Sequence, residues 1–257
     1  MGERRFEDKV VVITGGGTGI GKATAIAFAR EGALAVVSGI NESELLDTAG
    51  EIESDGGACM TMVADIRNSQ QVNTLISRTL DSYSKLDVLF ANAGVNVPAP
   101  ITETSDEDID RVVDTNVKGT YYQLRKAAEV MTKQGFGTIV AMSSMSGLIG
   151  HPYNTLYCAS KGAISNMVRA LALELAPLGI RVNAVCPGTI DTPMFKMLIE
   201  NTGNPEKARK TYAEKEPMKR IASPEEVARV VLFLASDEAS FVTGAQYAVD
   251  GGFIAGK

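Results

Sequence analysis

The chain has 257 residues, of which 45% are hydrophobic and 22% are charged. This balance is typical of a folded globular protein and argues against disorder, and the length suits one α/β domain spanning residues 1–257. The formal net charge of −6 disfavours nucleic acid as a partner. Proteins that bind nucleic acid concentrate Lys and Arg on one face, and no such stripe is visible here.

Short β-rich runs alternate with longer helical stretches along the whole chain. The predicted strands are 9–14, 33–38, 58–64, 86–91, 137–142, 180–185 and 246–249. The predicted helices lie near 20–31, 42–54, 69–83, 105–131, 154–176 and 224–236. Most strands are continuous apolar runs, which is typical of strands buried on both faces. The pattern predicts an α/β fold: a doubly wound, Rossmann-type parallel sheet of about seven strands with helices on both faces.

A glycine-rich loop, TGGGTGIGKA, follows the first strand and opens the first helix. Counted from Gly16 it begins like a P-loop, but Ala23 stands where a Ser or Thr would hold magnesium, which disfavours a nucleoside triphosphate. Glycines let the backbone approach a phosphate, and the free N–H groups at a helix start attract negative charge. The loop therefore predicts a phosphate-bearing ligand, although a tight strand-to-helix turn alone would also explain it.

Further motifs follow in chain order. They are Asn92-Ala93-Gly94 after the fourth strand, Asn116 in a long helix, Ser144 thirteen residues before Tyr157, Lys161 completing Y-x-x-x-K, and Pro187-Gly188 with Thr192 after the sixth strand. Together with the T-G-x-x-x-G-I-G spacing of the loop, this set resembles the short, single-domain branch of the short-chain dehydrogenase/reductase family over almost the whole chain.

The resemblance implies an NAD(P)-dependent oxidoreductase that interconverts a secondary alcohol and a ketone, or reduces a 3-oxoacyl thioester, and that forms a homotetramer. It assigns catalysis to Asn116, Ser144, Tyr157 and Lys161. The residues that it assigns to cofactor binding are Gly15, Thr18, Gly19, Ile20, Gly21, Asp65, Ile66, Asn92, Ala93, Gly94, Tyr157, Lys161, Pro187, Gly188, Ile190 and Thr192. A cofactor-binding redox sensor or scaffold without catalysis is the alternative on the same fold.

Tyr157 and Lys161 are four residues apart, so both project from one face of a helix. A neighbouring ammonium favours phenolate and is expected to lower the tyrosine pKa from about 10, which suits a general acid and base. The resemblance gives Ser144 the substrate oxygen and Asn116 a water beside Lys161. A surface i,i+4 pair, serines that satisfy loop backbone and an asparagine that bends a helix are the simpler alternatives.

The cofactor preference is unresolved by the sequence, with a slight lean to NAD(H). The second strand ends in Ser38-Gly39-Ile40-Asn41, which lacks the carboxylate that usually binds both ribose hydroxyls in NAD enzymes. Ile40 and Thr18 stand where NADP-using relatives carry Arg. A 2′-phosphate would need a cation or other donor, for which the candidates are Lys22, Arg67 and Asn41.

Residues 193–222 are where relatives place a mobile substrate lid, and Met194, Phe195 and Leu198 there would share a helical face. His151, the only histidine, is expected to be a loop residue near the pocket. Asp65 matches an adenine contact but would equally serve as the cap of the helix that follows it.

Three cysteines lack C-x-x-C spacing, and the charged first residues lack an apolar signal core. These features predict a reduced, cytoplasmic protein. The longest apolar runs are too short for a bilayer, so no membrane partner is expected. One histidine among unclustered cysteines predicts no metal site.

Overall fold

The computed structural model describes residues 4–256, which build a seven-stranded sheet in the order β3-β2-β1-β4-β5-β6-β7. Every neighbouring pair of strands is parallel. The strands are β1 Val10–Thr14, β2 Leu34–Gly39, β3 Ala58–Val63, β4 Val88–Ala91, β5 Gly137–Met142, β6 Ile180–Pro187 and β7 Gln246–Val249. The predicted doubly wound α/β fold is confirmed.

Helices cover both faces of this sheet. They are α1 Gly19–Arg30, α2 Glu42–Ser54, α3 Ser69–Tyr83, α4 Asp106–Val112, α5 Thr120–Gln134, α6 Thr155–Leu175, α7 Pro193–Glu200, α8 Pro205–Lys215 and α9 Pro224–Ala235. Within the part of the chain described, none of them is both long enough and apolar enough to cross a membrane.

Two hydrophobic cores follow from the alternation of side chains along each strand. On one face, Val11 and Ile13 of β1 pack with residues of α1 and α9, including Phe28 and Val231. On the other face, Val10 and Val12 pack with α3, α5 and α6. All five residues of β1 are buried, as expected of the central strand.

The long helix predicted at 105–131 is continuous over residues 106–134, but its winding changes along its length. The structure has α4, then a π-helical segment Val113–Gly119, and only then α5. Asn116 lies inside the π segment, and its side chain exchanges two 2.8 Å hydrogen bonds with the backbone of Val95. These bonds come from a segment distant in sequence, so the local pattern could not reveal the wider turn.

Helix caps also differ from the sequence prediction. Asn68, and not Asp65, caps α3, because its side chain accepts hydrogen bonds from the N–H groups of Gln70 and Gln71. At the start of α9, the Glu226 side chain accepts a 2.9 Å hydrogen bond from the N–H of Ser223.

The sheet order reverses beside β1, whose neighbours are β2 and β4. Ligands of doubly wound sheets bind at such a point, beyond the carboxyl ends of the strands. The loops after β1, β4, β5 and β6 therefore lie at this edge of the sheet, and most of the predicted site residues belong to these loops or to the helices that follow them.

Candidate active site

The glycine loop adopts a conformation that side chains would obstruct. Gly15 and Gly19 have φ angles of +63° and +54°, in the left-handed region. A β-carbon at Gly21 would lie 2.0 Å from the carbonyl oxygen of Gly15. The loop can take this path only because these positions lack side chains.

The start of α1 fits a phosphate-bearing cofactor. Thr18 occupies the cap position, yet among the described residues no side chain accepts a hydrogen bond from the first turn of the helix, and that turn contains no acidic residue. Its N–H groups therefore face the loop with their partial positive charge uncompensated. Ile20 follows in the first turn, and Thr192 closes the other side, about 3.3 Å from where a Gly19 β-carbon would lie.

Asn92 braces the glycine loop from the end of β4. Its amide nitrogen donates to the carbonyl oxygens of Thr14 (2.9 Å) and Gly15 (3.1 Å). The hydroxyl of Thr14 accepts from the N–H groups of Asn92 and Ala93 and donates to Gln123 of α5 over 2.7 Å. The support given by Thr14 and Gln123 was not predicted, because it requires the packing of α5 beneath β1.

Gly94 leads from this brace to the reaction centre. A β-carbon there would lie 3.1 Å from Oδ1 of Asn116 and 3.4 Å from Nζ of Lys161. The Asn92-Ala93-Gly94 segment thus passes directly beside two predicted catalytic residues.

Lys161 is buried in the second turn of α6, with only 2% of its surface exposed. Its ammonium nitrogen donates a 2.8 Å hydrogen bond to the carbonyl oxygen of Met142, at the end of β5, and lies 5.6 Å from the ring centroid of Tyr157. Burial lowers the pKa of Lys161 to about 8. The surface i,i+4 pair considered for the sequence is therefore excluded.

Tyr157 is half-buried, and burial of the hydroxyl raises its pKa to about 12. A hydrogen bond with the Ser144 side chain acts in the opposite direction but does not offset the burial. The expected lowering of this pKa by Lys161 is therefore wrong for the protein alone. The cause is desolvation, which penalises the phenolate and which the spacing of two residues does not reveal.

The structure distinguishes Ser144 from its neighbours. Ser143 is committed to structural hydrogen bonds with the carbonyl oxygen of Lys161 (3.0 Å) and the hydroxyl of Ser165 (2.7 Å). The N–H of Ser146 donates to the Ser144 hydroxyl oxygen over 3.1 Å. Of the three serines, only Ser144 lowers the pKa of Tyr157 through a side-chain hydrogen bond. This agrees with the selection of Ser144 by its spacing from Tyr157.

Asn116 is fully buried and connects the loop after β4 with α6. Besides its two bonds to Val95, its amide donates to the hydroxyl of Ser160, which in turn donates to the carbonyl oxygen of Tyr157. Asn116 thus positions the helix that carries the tyrosine. Its role as a water anchor stays a prediction.

The turn after β6 forms the third side of the site. A β-carbon at Gly188 would lie 2.9 Å from the backbone of Asp250, so Pro187-Gly188 is pressed against the C-terminal segment. Ile190 is buried and forms a β-bridge with Ala222. The hydroxyl of Thr192 accepts from the N–H of Phe195 and caps α7.

At the adenosine end of the cleft, each of the three side chains considered for binding a 2′-phosphate already forms an ion pair or a hydrogen bond with another residue. Arg67 forms a 2.6 Å ion pair with Asp65, Lys22 forms one of 2.6 Å with Glu51, and Asn41 caps α2 by accepting from Ser43. Ile40 is 76% exposed.

Ile66 is buried after β3, about 2.9 Å from where a Gly119 β-carbon would lie.

His151 lies in the loop before α6, and residues 193–222 contain the helices α7 and α8. The imidazole stacks on the ring of Phe253 with centroids 5.6 Å apart, in the loop between Ser144 and Tyr157. Phe195 is buried in α7 and meets Tyr212 of α8 edge-on at 5.3 Å, while Met194 is exposed. Glu216, which the sequence did not indicate, is only 3% exposed.

Comparison with known proteins agrees with this geometry. A family model described as Enoyl-(Acyl carrier protein) reductase matches residues 15–254. The 3-oxoacyl-[acyl-carrier-protein] reductase FabG of Thermotoga maritima is 41% identical, over 97% of this chain and 99% of that protein.

Solved structures also match this chain over nearly its whole length. The crystal structure of levodione reductase has a TM-score of 0.96 at 34% identity, covering 98% of this chain and 100% of the other. That of NAD+-bound xylitol dehydrogenase has a TM-score of 0.93 at 32% identity, covering 96% and 100%. The chain therefore belongs to the short-chain dehydrogenase/reductase family, whose members transfer a hydride between a nicotinamide dinucleotide and an alcohol or ketone.

Proposed function

We propose that this oxidoreductase interconverts a secondary alcohol and a ketone, with Tyr157 as general acid and base and NAD(H) as the preferred cofactor. The observation that carries the proposal is the buried ammonium of Lys161, which donates to the carbonyl oxygen of Met142 at the end of β5 and lies 5.6 Å from the ring centroid of Tyr157. Asn116, which holds the first turns of α6 in position, completes the group.

When bound, the nicotinamide accepts or supplies the hydride. During oxidation, the oxygen of Tyr157 takes the hydroxyl proton of the alcohol as the carbon–hydrogen bond is broken. Ser144 donates a hydrogen bond to the substrate oxygen, which orients it and stabilises the charge that develops there. With an oxidised nicotinamide bound, its positive charge together with that of Lys161 would favour the phenolate form of Tyr157, which burial opposes in the protein alone. Reduction of a ketone follows the same path in reverse, with Tyr157 returning the proton.

The preference for NAD(H) is supported by the surroundings of the adenosine end. Lys22 and Arg67 are paired with carboxylates, so neither is free to bind a 2′-phosphate without breaking an ion pair. Glu44 adds negative charge, because its carboxylate lies about 3.4 Å from where a Gly17 β-carbon would be. The similar xylitol dehydrogenase is described as NAD+-bound.

We further propose that residues 193–222 form the substrate lid of a single domain spanning the chain. Arg209 of α8 binds Asp191, beside the cofactor residues Ile190 and Thr192, through two hydrogen bonds of 3.0 and 2.7 Å. This pairing lowers the pKa of Asp191. It connects the lid to the cofactor turn by a contact that can open, because both groups are partly exposed.

The substrate proposed is a small alcohol or ketone, with a 3-oxoacyl thioester as the second candidate because of the similarity to FabG. A homotetramer and a cytoplasmic location remain parts of the proposal. The cytoplasmic location is supported by three cysteines that are all unpaired.

The substitution Tyr157→Phe tests the assignment. We expect NADH to bind with near-normal affinity by fluorescence titration, while turnover falls by roughly 10²–10⁴-fold because the proton donor is lost. Tyr83→Phe, at the far end of α3, is the matched control and should change neither quantity. Near-normal turnover of the Tyr157 variant would exclude this residue as the acid and base. Cofactor binding without turnover of any alcohol, ketone or thioester by the unaltered protein would instead favour a sensor or scaffold.

A further inference from the structure

Glu216 carries a carboxyl group that the mechanism above does not use. The residue follows α8 and is 3% exposed. Its Oε1 accepts a 3.3 Å hydrogen bond from the N–H of Thr189, whereas its Oε2 is enclosed and has no hydrogen-bond partner within residues 4–256. A buried polar atom without a partner is costly, so the missing donor calls for an explanation.

The bond to Thr189 places this carboxyl group against the turn that follows β6. Thr189 follows Pro187-Gly188 at the end of β6. Strand β6 pairs with β5, and the N–H of Ser143 donates to the carbonyl oxygen of Val185, so the turn lies beside Ser144. Glu216 is therefore held on the β6 side of the residue that meets the substrate oxygen.

A second acceptor lies on the β4 side. The Asn154 amide donates to the carbonyl oxygen of Pro152, so its Oδ1 is left to accept from the amide nitrogen of Asn96 over 3.2 Å. This pairing fixes the orientation of Asn96 and leaves its Oδ1 buried, with no partner in the described part of the chain. The loops after β4 and β6 thus each present an unpaired acceptor, with Ser144 after β5 between them.

We propose that Glu216, with Asn96 across the cleft, accepts hydrogen bonds from substrate hydroxyl groups next to the reacting carbinol. The substrate class is then a diol or polyol, because its hydroxyl groups supply the donors that the two enclosed acceptors lack. A monohydric alcohol would leave both acceptors unpaired, and a site built for a hydroxyl group discriminates strongly against analogues that lack it. This inference rests on the proposed function and specifies its substrate.

The test compares kcat/KM with NAD+ for 2-butanol, 2,3-butanediol and erythritol, which share a four-carbon chain. We expect the unaltered protein to prefer the diol or tetrol over 2-butanol by roughly 10–100-fold. Glu216→Gln keeps the acceptor for Thr189 but replaces Oε2 with a donor, and it should abolish most of this preference while 2-butanol oxidation stays within about threefold. Glu214→Gln, an exposed residue of α8, is the matched control and should keep the full preference.

Asn96→Ala provides a second, independent variant, and it should also reduce the preference. Each variant is first titrated with NADH, which reports a folded cofactor site independently of turnover. An unchanged preference in both variants, or an equal loss on all three alcohols, means that these groups only support their loops or bind water, and overturns the subsite. Equal turnover of the three alcohols by the unaltered protein overturns the subsite but leaves the proposed function intact. No turnover of any substrate overturns both.

Discussion

Ile40 follows the second strand, at the position where NADP-using relatives carry an Arg, and its side chain is 76% exposed. Ile40→Arg therefore adds a charge without disturbing the core. We expect the affinity for NADPH relative to NADH to rise by roughly 10–100-fold, since hydrogen bonds between charged groups contribute about 1.5–3 kcal/mol. Fluorescence titration with both cofactors measures the ratio.

Leu46→Arg, on the neighbouring helix α2 and 56% exposed, adds the same charge away from the strand end and serves as the control. Its ratio should change little. Tight NADPH binding and weak NADH binding by the unaltered protein would contradict the proposed preference.

Lys161 gives the stability of the protein a pH dependence of known sign. Its pKa is lowered by burial from 10.5 to about 8, so between these values the unfolded chain binds more protons than the folded one. The contribution of Lys161 to the free energy of unfolding should therefore rise with pH across this interval. Relative to Lys161→Met, which has no titrating group there, we expect a rise of about 2 kcal/mol between pH 7.5 and pH 9.5.

Urea unfolding of both proteins at several pH values measures this difference. The range ends below pH 10 because the raised pKa of Tyr157 acts with the opposite sign above its ordinary value. Parallel stability curves for the two proteins would show that the ammonium is not desolvated in the folded state.

At the scale of elements, the sequence predicted the parts that depend on local pattern. Strand β1 and the loop before α1 follow from an apolar run and from glycine spacing, and the structure has both. The π segment around Asn116 could not be predicted, because its cause is a pair of hydrogen bonds to Val95 of another loop. Where contacts with residues distant in sequence determine the geometry of an element, its local sequence does not predict that geometry.

The same distinction separates the site residues. The resemblance to the family identified Tyr157, Lys161 and Ser144, because their motifs can be recognised in the chain without knowledge of its packing. The pKa of Tyr157 was predicted in the wrong direction, because burial is a property of the assembled fold. Glu216 lies in a charged segment in which the sequence shows no motif. It becomes a candidate substrate-binding residue only through its burial and its bond to Thr189.

For the whole molecule, we expect two groups of exposed apolar side chains to form the interfaces of the proposed tetramer. One contains Tyr121 of α5 and Leu173 of α6, which are 52% and 81% exposed. The other contains Phe241 and Tyr247 beside the edge strand β7, which are 102% and 43% exposed. Two different isologous interfaces, each burying one face against its copy, generate a tetramer with three two-fold axes.

We therefore expect light scattering to give a mass four times the 27.2 kDa of the chain. Leu173→Lys places a charge in the first interface and should yield dimers, because the second interface is unaffected. Combining it with Phe241→Lys should yield monomers. Leu46→Lys alters an exposed residue outside both faces and should leave the tetramer intact. A monomeric unaltered protein, or a Leu173 variant that still forms tetramers, would contradict this arrangement. Because the faces lie on different elements, each substitution reports on one interface alone.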